Sequence, residues 1–364
     1  MSEQPLWRSL QANLIAGEPV ALATVVNQVG SAPQPEGASL LIRANGSLLG
    51  AVSAGCLESD VVAHGLQVLE TGRPKLIRYD PAAADDPLAI GLTCGGSVEL
   101  AIDHWRPEHL PILQPLFEAL ADDEEVVVVT SMDSDGGVAV RTAHGCNGTL
   151  PAAALAQLHR LELQPHPHGA GRLWPAQAWI HHTPQGEKTL WRQHRPATPL
   201  WIFGATDTAN ALAELARPLG FHSTIVDARS HFATAERCSS ADAVVCRWPH
   251  LWFEEQQVKN TTVICVLNHD PKFEIPLLVH ALRSPAAYVG ALGSRATNRQ
   301  RQQALHSAGL SNAELQRLRA PIGLALGGKG PAEIALSILA EVIMLRCGGE
   351  GSPLILGQGS LHRR

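Results

Sequence analysis

Cysteine is scarce in this chain. Seven among 364 residues are far too few for a disulfide scaffold, and the odd count leaves at least one thiol unpaired. That pattern reads as a reducing compartment, where thiols serve chemistry or packing. Positive charge is also short: 28 Lys and Arg stand against 34 Asp and Glu, for a formal net charge of -6. A dedicated nucleic-acid binder needs a cationic surface, so that class is set aside. Long hydrophobic runs are missing too. The longest, IALSILAEVIML, holds Glu341 and falls short of the ~20 apolar residues a bilayer span needs. The first residues, MSEQPLWRSLQANLIAGEPVALATVV, have no basic start, and Glu18-Pro19 interrupts their apolar stretch, so no targeting signal is visible. A cytoplasmic location without membrane association is the expectation. What is present is core material: 45% of residues are hydrophobic and 17% charged, against a charged share of about 25% in ordinary globular chains. The length suggests two domains or three.

The organisation along the chain is uneven. Residues 1–150 alternate strand-like and helix-like patterns. Val20–Val26 is β-rich, Asn45-Gly46 between Leu40–Arg43 and Leu48–Val52 signals a hairpin, and Leu57–Leu69 reads as a helix. Val98–Asp103 and Val126–Thr130 look like further strands. Residues 151–198 carry Pro151, Pro165, Pro167, Pro175, Pro184, Pro196 and Pro199 close to or within their bounds. They read as a Pro/His-rich connector with short strands near Ala178–His182 and Thr189–Arg192. From 199 to 347, strands at Leu200–Phe203, Ser223–Asp227, Ala243–Cys246, Thr262–Leu267 and Ala287–Gly290 alternate with helical segments. That rhythm predicts a doubly wound parallel sheet, giving an α/β fold class for the chain. Residues 348–364 read as a disordered tail.

Four constellations could carry chemistry. Gly204-Ala205-Thr206-Asp207 joins the first strand of the second block to its first helix, and Asp227 ends the next strand. This is the context of a dinucleotide fingerprint. Thr206 nevertheless stands where a second glycine would let a pyrophosphate approach, and Asp207 adds a negative charge, so NAD(P) binding is argued against. Gly327-Gly328-Lys329-Gly330 before Pro331 resembles a phosphate loop but lacks the Ser or Thr that would hold magnesium. It reads equally as an anion-friendly loop or a plain turn. In the first block, Gly55-Cys56-Leu57-Glu58 places a thiol where a helix begins, and aligned N–H dipoles there make a better nucleophile or metal ligand. Cys94-Gly95-Gly96 sets a second thiol beside a diglycine turn that permits close approach by a ligand. Cys246 and Cys265 sit in apolar strand runs and are expected in the core, and Cys146, Cys238 and Cys347 have no partner pattern. His166, His168, His181, His182 and His194 come with no zinc-type framework. The last constellation is His269-Asp270 at one strand end and Gly293-Ser294-Arg295 at the next. Strand ends of this kind are where open α/β sheets bind ligands, and Arg295 is a candidate clamp for phosphate or carboxylate.

Taken in order, these segments resemble the xanthine dehydrogenase accessory (XdhC/CoxI) family. The first block contributes Gly30-Ser-Ala-Pro-Gln-Pro-Glu-Gly37, Gly50-Ala-Val-Ser-Ala-Gly-Cys-Leu-Glu58, Tyr79-Asp80 and Gly91-Leu-Thr-Cys-Gly-Gly96. The second contributes Leu200–Ala209, Val266–Pro271, Tyr288–Arg295, Ala320–Leu324 and Pro331–Ala335. Departures from the family are Thr206 and Asp207 in place of Gly-His, Ala54 in place of a glycine before Cys56, and no acidic residue near Ala325.

The resemblance implies a family-specific first domain and a Rossmann-like second domain, often as a homodimer. It implies a chaperone more than a turnover enzyme. Such a factor binds the molybdenum cofactor (molybdopterin), assists its sulfuration with a cysteine desulfurase, and helps insert it into the apoenzyme of a molybdenum hydroxylase. Molybdopterin is an anionic phosphate ester with soft sulfurs and a metal, which suits glycine-rich N–H donors, Arg and thiolates. The expected cofactor-binding residues are Gly55, Cys56, Glu58, Cys94, Gly95, Gly96, Gly204, Thr206, Asp227, His269, Asp270, Gly293, Ser294 and Arg295. Cys56 and Cys94 are the expected contacts to molybdenum or its sulfur. Two other readings stay open: an NAD(P)-dependent oxidoreductase using the second domain, and a sulfur transferase carrying a persulfide on Cys56 or Cys94.

Overall fold

The computed structural model describes residues 4–30, 34–81, 92, 95–133, 137–150, 152–160, 176–183 and 186–356. These form two compact units, one made of the residues up to Pro196 together with 354–356, and the other running from Ala197 to Pro353. In chain order the first contains α1 (Gln4–Ile15), β1 (Val20–Val29), β2 (Ser39–Arg43), β3 (Leu48–Gly50), α2 (Glu58–Thr71), β4 (Lys75–Tyr79) and β5 (Ser97–Trp105). It continues with α3 (Leu110–Ala121), β6 (Val126–Ser131), β7 (Val138–Thr142), β8 (Gly145–Gly148), α4 (Ala152–Arg160), β9 (Ala176–His182) and β10 (Lys188–His194).

Two antiparallel five-stranded sheets result, ordered β3-β2-β1-β5-β4 and β8-β7-β6-β10-β9. β1 shows the period-2 logic of a strand buried on both faces. Val20 and Leu22 pack with Leu10 and Leu14 of α1 and Leu113 and Phe117 of α3, while Ala21, Ala23 and Val25 face Val61 and Val68 of α2. The all-valine run 126–129 divides likewise: Val126 and Val128 join the α1–α3 cluster, and Val127 and Val129 meet Ala154 and Leu158 of α4. Each fully buried side chain of this kind contributes about 1.5–3 kcal/mol.

The two sheets of this unit are tied by an ion pair. Arg192 of β10 is 3% exposed and Asp103 of β5 is 2% exposed. Arg192 Nη2 donates to Asp103 Oδ1 at 2.6 Å and Nη1 to Oδ2 at 2.8 Å. Its Nε donates to Thr24 of β1 at 3.1 Å, and the Thr130 hydroxyl of β6 donates to Asp103 at 2.8 Å.

The second unit contains β11 (Thr198–Phe203), α5 (Asp207–Ala216), β12 (Phe221–Asp227), β13 (Ala243–Cys246), α6 (Pro249–Glu254), β14 (Val263–Val266) and α7 (Pro271–Arg283). β15 (Tyr288–Ala291), α8 (Arg295–Ser307), α9 (Asn312–Gln316), β16 (Leu318–Arg319) and α10 (Pro331–Cys347) complete it. Its six strands are parallel and ordered β13-β12-β11-β14-β15-β16. Numbered within the unit that is 3-2-1-4-5-6, the doubly wound order, with its switch point between β11 and β14. α5 and α10 bury Leu212, Ala213, Ile338 and Val342 on one face, and α7 buries Leu277, Leu278 and Ala281 on the other.

The α/β fold class stands, with the first unit's sheets antiparallel. Two local expectations need correcting, and a third holds in part. The stretch 151–198 has the short strands expected near Ala178–His182 and Thr189–Arg192, as β9 and β10, but it also supplies α4, and β10 lies inside its sheet between β6 and β9. Its prolines bracket these strands instead of interrupting them. Cys246 is exposed, not core, because β13 is a four-residue edge strand flanked on one side only. Of the tail, residues 348–356 are described and include a 3-10 turn at Leu354–Leu356. Residues 357–364 lie outside the described residues.

Candidate functional site

Antiparallel pairing in the first sheet brings several chain segments to one edge. Val29 pairs with Ser97, Thr24 with Ser39, Leu40 with Gly50, and Tyr79 with Val98. The segments 30–38, 51–57 and 80–96 therefore all leave the same end of the sheet. These are the three segments that carry the family-like motifs of the first block.

Glycine is required where the segments meet. Gly50 has φ +94°, and a Cβ there would lie 2.2 Å from the Ser39 carbonyl oxygen. Gly30 has φ +76°, and its Cβ would come within 3.3 Å of Gly96 Cα, so the chain is packed backbone against backbone at these two glycines. Gly95 is exposed. Cys94 lies outside the described residues.

The Cys56 loop is braced from within. The buried Ser53 hydroxyl accepts the N–H groups of Gly55 and Leu57, each at 3.2 Å, and donates to Glu58 Oε2. The Ser53 N–H donates to Glu58 Oε1 at 2.9 Å. Burial alone would raise the Glu58 carboxyl, but the bond from Ser53 and the backbone N–H groups outweigh it and hold it below the usual carboxylate range. Glu58 is thus turned inward onto its own loop, while Cys56 is exposed and a Cβ at Gly55 (φ +107°) would meet open space. The first turn of α2 is also tied to the third segment's root, since the Tyr79 hydroxyl donates to Asp60 at 2.6 Å. Burial, then that carboxylate, push the Tyr79 phenol well above its ordinary value. Chemically, this edge offers a solvent-facing soft sulfur beside exposed glycine backbone.

In the second unit, the remaining expected residues all fall at the carboxyl edge of the parallel sheet. A Cβ at Gly204 (φ +112°) would lie 2.9 Å from Asn268 N, so the turns after β11 and β14 are in contact at the switch point. Thr206 caps α5, its hydroxyl accepting the Ala209 N–H at 3.1 Å. Asp227 is fully buried; its Oδ2 accepts the Ala205 N–H at 2.8 Å and Arg229 Nη2 at 2.7 Å, and its Oδ1 accepts Arg229 N and Nε, each at 2.9 Å. Burial would raise this carboxyl, yet the Arg229 bonds and the Ala205 N–H leave it below the ordinary range. His269 is exposed. Asp270 caps α7 and pairs with Lys272 at 3.0 Å. Ser294 caps α8, accepting the Thr297 N–H at 3.1 Å. Gly293 (φ +147°) rests on Arg301, whose Nη2 would lie 3.2 Å from a Cβ there. Arg295 is exposed with no ion-pair partner among the described residues.

Several participants escaped the sequence reading. Ser53 orders the Cys56 loop, Arg229 occupies Asp227, and the buried pair of Arg301 with Glu274 supports the loop before α8, Arg301 donating to the Leu292 carbonyl at 2.7 Å. Arg229, two residues after the strand-ending acid, was the one local signal on offer. The glycine loop before α10 is settled as a self-cap: Lys329 N and Gly330 N both donate to Glu333 Oε2 at 2.8 Å, so those N–H groups are already occupied.

Together, fold and site define a two-unit protein with thiol-bearing loops on an antiparallel sheet and a Rossmann-type second unit. The XdhC and CoxI family model matches residues 14–80, and the XdhC Rossmann domain matches residues 200–342. The chain belongs to the XdhC and CoxI family. It is 29% identical over 339 residues to the molybdenum cofactor insertion chaperone PaoD of Escherichia coli strain K12, covering 92% of this chain and 85% of PaoD. It is 27% identical over 342 residues to a probable xanthine dehydrogenase subunit of Bacillus subtilis strain 168, covering 93% of this chain and 96% of that protein. The crystal structure of a xanthine dehydrogenase from Bacillus halodurans has the same fold, with a TM-score of 0.74 at 22% identity over 97% of this chain and 98% of that one.

Proposed function

We propose that this protein carries the molybdenum cofactor and delivers it to the apoenzyme of a molybdenum hydroxylase. The observation that carries the reading is the exposed Cys56 thiol, on a loop braced by Ser53 and Glu58, at the edge where Gly30 meets Gly96. A soft sulfur on an exposed, glycine-flanked loop suits a cargo that carries soft sulfurs and a metal. The similarity to PaoD, named as an insertion chaperone, supports the same reading. Cys56 and Cys94 are the contacts to molybdenum or its sulfur, with Gly55, Gly95 and Gly96 as the surrounding backbone. Glu58 serves by holding the loop. In the second unit, Arg295 at the Ser294-capped start of α8 is the anion-facing group, with Gly293, His269 and Asp270 on the same sheet edge.

The family resemblance extends the proposal to sulfuration of the cofactor with a cysteine desulfurase, to a homodimer and to a cytoplasmic setting. The test is purification from cells that make the cofactor, followed by metal analysis and release of the pterin as its fluorescent oxidised form. Pterin and molybdenum are expected to copurify, and to fall in Cys56→Ala and Cys94→Ala variants. A protein free of pterin refutes the carrier role; pterin retained at full level by the double variant refutes the role of the thiols. For sulfuration, incubation with a desulfurase and cysteine is expected to add one sulfur to Cys56 or Cys94 by mass spectrometry, and an unmodified protein counts against it.

A further inference from the structure

A doubly wound sheet of this order usually holds a dinucleotide at its switch point. The pyrophosphate sits on free N–H groups of the first turn, and the acid ending the second strand accepts the ribose hydroxyls. Here the chain's own groups fill the ribose place and take three of the turn's N–H groups. At the turn, the Ala205 N–H goes to Asp227, the Thr206 N–H to the Gly204 carbonyl at 3.0 Å, and the Ala209 N–H to the Thr206 hydroxyl. Asp207 then sets an exposed carboxylate in the first turn of α5, where it repels a second anion. A pyrophosphate would meet a threonine side chain and a like charge where it needs bare backbone.

The ribose position is closed more completely. An ionised carboxylate has about four lone-pair sites. Asp227 receives four donors, two on each oxygen: Arg229 N and Nε on Oδ1, and Arg229 Nη2 and Ala205 N on Oδ2. None remains for a ribose hydroxyl. Arg229 is itself held from the other side, its guanidinium carbon 4.2 Å from the centre of the Phe232 ring. Releasing it would leave a fully buried carboxylate without its cation, which is strongly unfavourable.

We infer that the second unit is a Rossmann sheet closed to NAD(P), with Arg229 standing where the ribose would bind and Thr206-Asp207 where the pyrophosphate would. It argues against the NAD(P)-dependent oxidoreductase reading and is independent of the carrier proposal, which a pterin analysis decides separately. The experiment is a fluorescence titration of the full-length protein with NADH and with NADPH, checked by equilibrium dialysis. No saturable binding is expected up to about 1 mM, the upper end of typical substrate KM values. The opened variant Thr206→Gly/Asp207→Gly/Arg229→Ala, confirmed as folded by circular dichroism, is expected to bind NADH at least about tenfold more tightly than the parent, a difference of one decade in Kd. If Arg229→Ala prevents folding, Thr206→Gly/Asp207→Gly replaces it, since that pair leaves Asp227 and Arg229 bonded, and a smaller gain in the same direction is expected. Saturable micromolar binding of either nucleotide by the parent overturns the inference. So does a folded variant that binds no better than the parent.

Discussion

The Arg192–Asp103 pair is the sharpest test of how the first unit is held together. Both side chains are all but excluded from solvent, and each is bound by a second strand pair through Thr24 and Thr130. Deleting the carboxylate with Asp103→Ala leaves a buried guanidinium with one remaining strong partner. Breaking a buried pair in this way costs about 3–5 kcal/mol. At ~1.4 kcal/mol per decade, the opening equilibrium of the joined strands should rise by between about 10² and several times 10³. Hydrogen exchange by mass spectrometry reads that directly on peptides covering β5 (Ser97–Trp105) and β10 (Lys188–His194). Peptides from β11 and β14 in the other unit serve as the internal reference and should not move. The double variant Asp103→Leu/Arg192→Met replaces both charges by apolar groups, and should lose less protection than Asp103→Leu or Arg192→Met alone. Protection in Asp103→Ala within about twofold of the parent, the scatter of an uncoupled site, would show that the pair does not tie the sheets. Additive losses in the double variant would refute the coupling itself.

Two further outcomes follow from the sites. Because the Glu58 carboxyl is held below its ordinary value, its contribution is fully present above the unfolded value of about 4.3 and is lost as pH falls through the lower folded value. The Ser53 amide proton, bonded to Glu58, should titrate by NMR with a midpoint below about 4.3 and stay flat in Glu58→Gln; a midpoint above it would contradict the assigned bonds. At Gly204, alanine meets both a positive φ and the Asn268 backbone at 2.9 Å, whereas at Gly220 (φ +77°) it meets open space. Gly220→Ala should cost about 1 kcal/mol from the backbone alone and Gly204→Ala up to about 3 kcal/mol, by urea unfolding; equal effects would rule out the close contact at the switch point.

The parallel unit was legible because buried parallel strands read as continuous apolar runs. Leu200–Phe203 and Val263–Val266 are such runs, and each is followed by a helix with 3.6-residue spacing. β9 and β10 were harder. His181, His182, Arg192 and His194 make them look solvated, yet Arg192 is buried because Asp103, 89 residues earlier, accepts it. No local pattern carries a partner that far away. Two carboxylates have partners closer to hand: Glu58 and Glu333 stand beside glycine-rich loops, and each folds back onto the N–H groups of its own loop. Cys246 looked buried because its strand is apolar, and only the strand order revealed it at a sheet edge. The gathering of the three motif segments at one end of the first sheet was likewise invisible until pairing set the register.

That gathering bears on why a carrier would be built this way. An enzyme that turns over a bound group encloses most of it, whereas a carrier must let a second protein reach the group it hands on. Cys265 illustrates the thiol that cannot serve: it is fully buried, and burial followed by the Glu341 carboxylate pushes it far above an ordinary thiol, leaving it protonated and unreachable. Cys56 has the opposite surroundings. It stands in solvent at the rim, while the order of its loop is supplied from beneath by Ser53 and Glu58 and by the bond from Tyr79 to Asp60. The bracing groups and the exposed group are therefore different residues. Under the carrier proposal, substitutions at Ser53 or Tyr79 should loosen the loop and lower occupancy gradually, and Cys56→Ala should remove the contact while leaving the loop in place. A Cys56→Ala protein with a disordered loop, seen as lost exchange protection at Leu57, would show that the thiol belongs to the scaffold and not to the cargo.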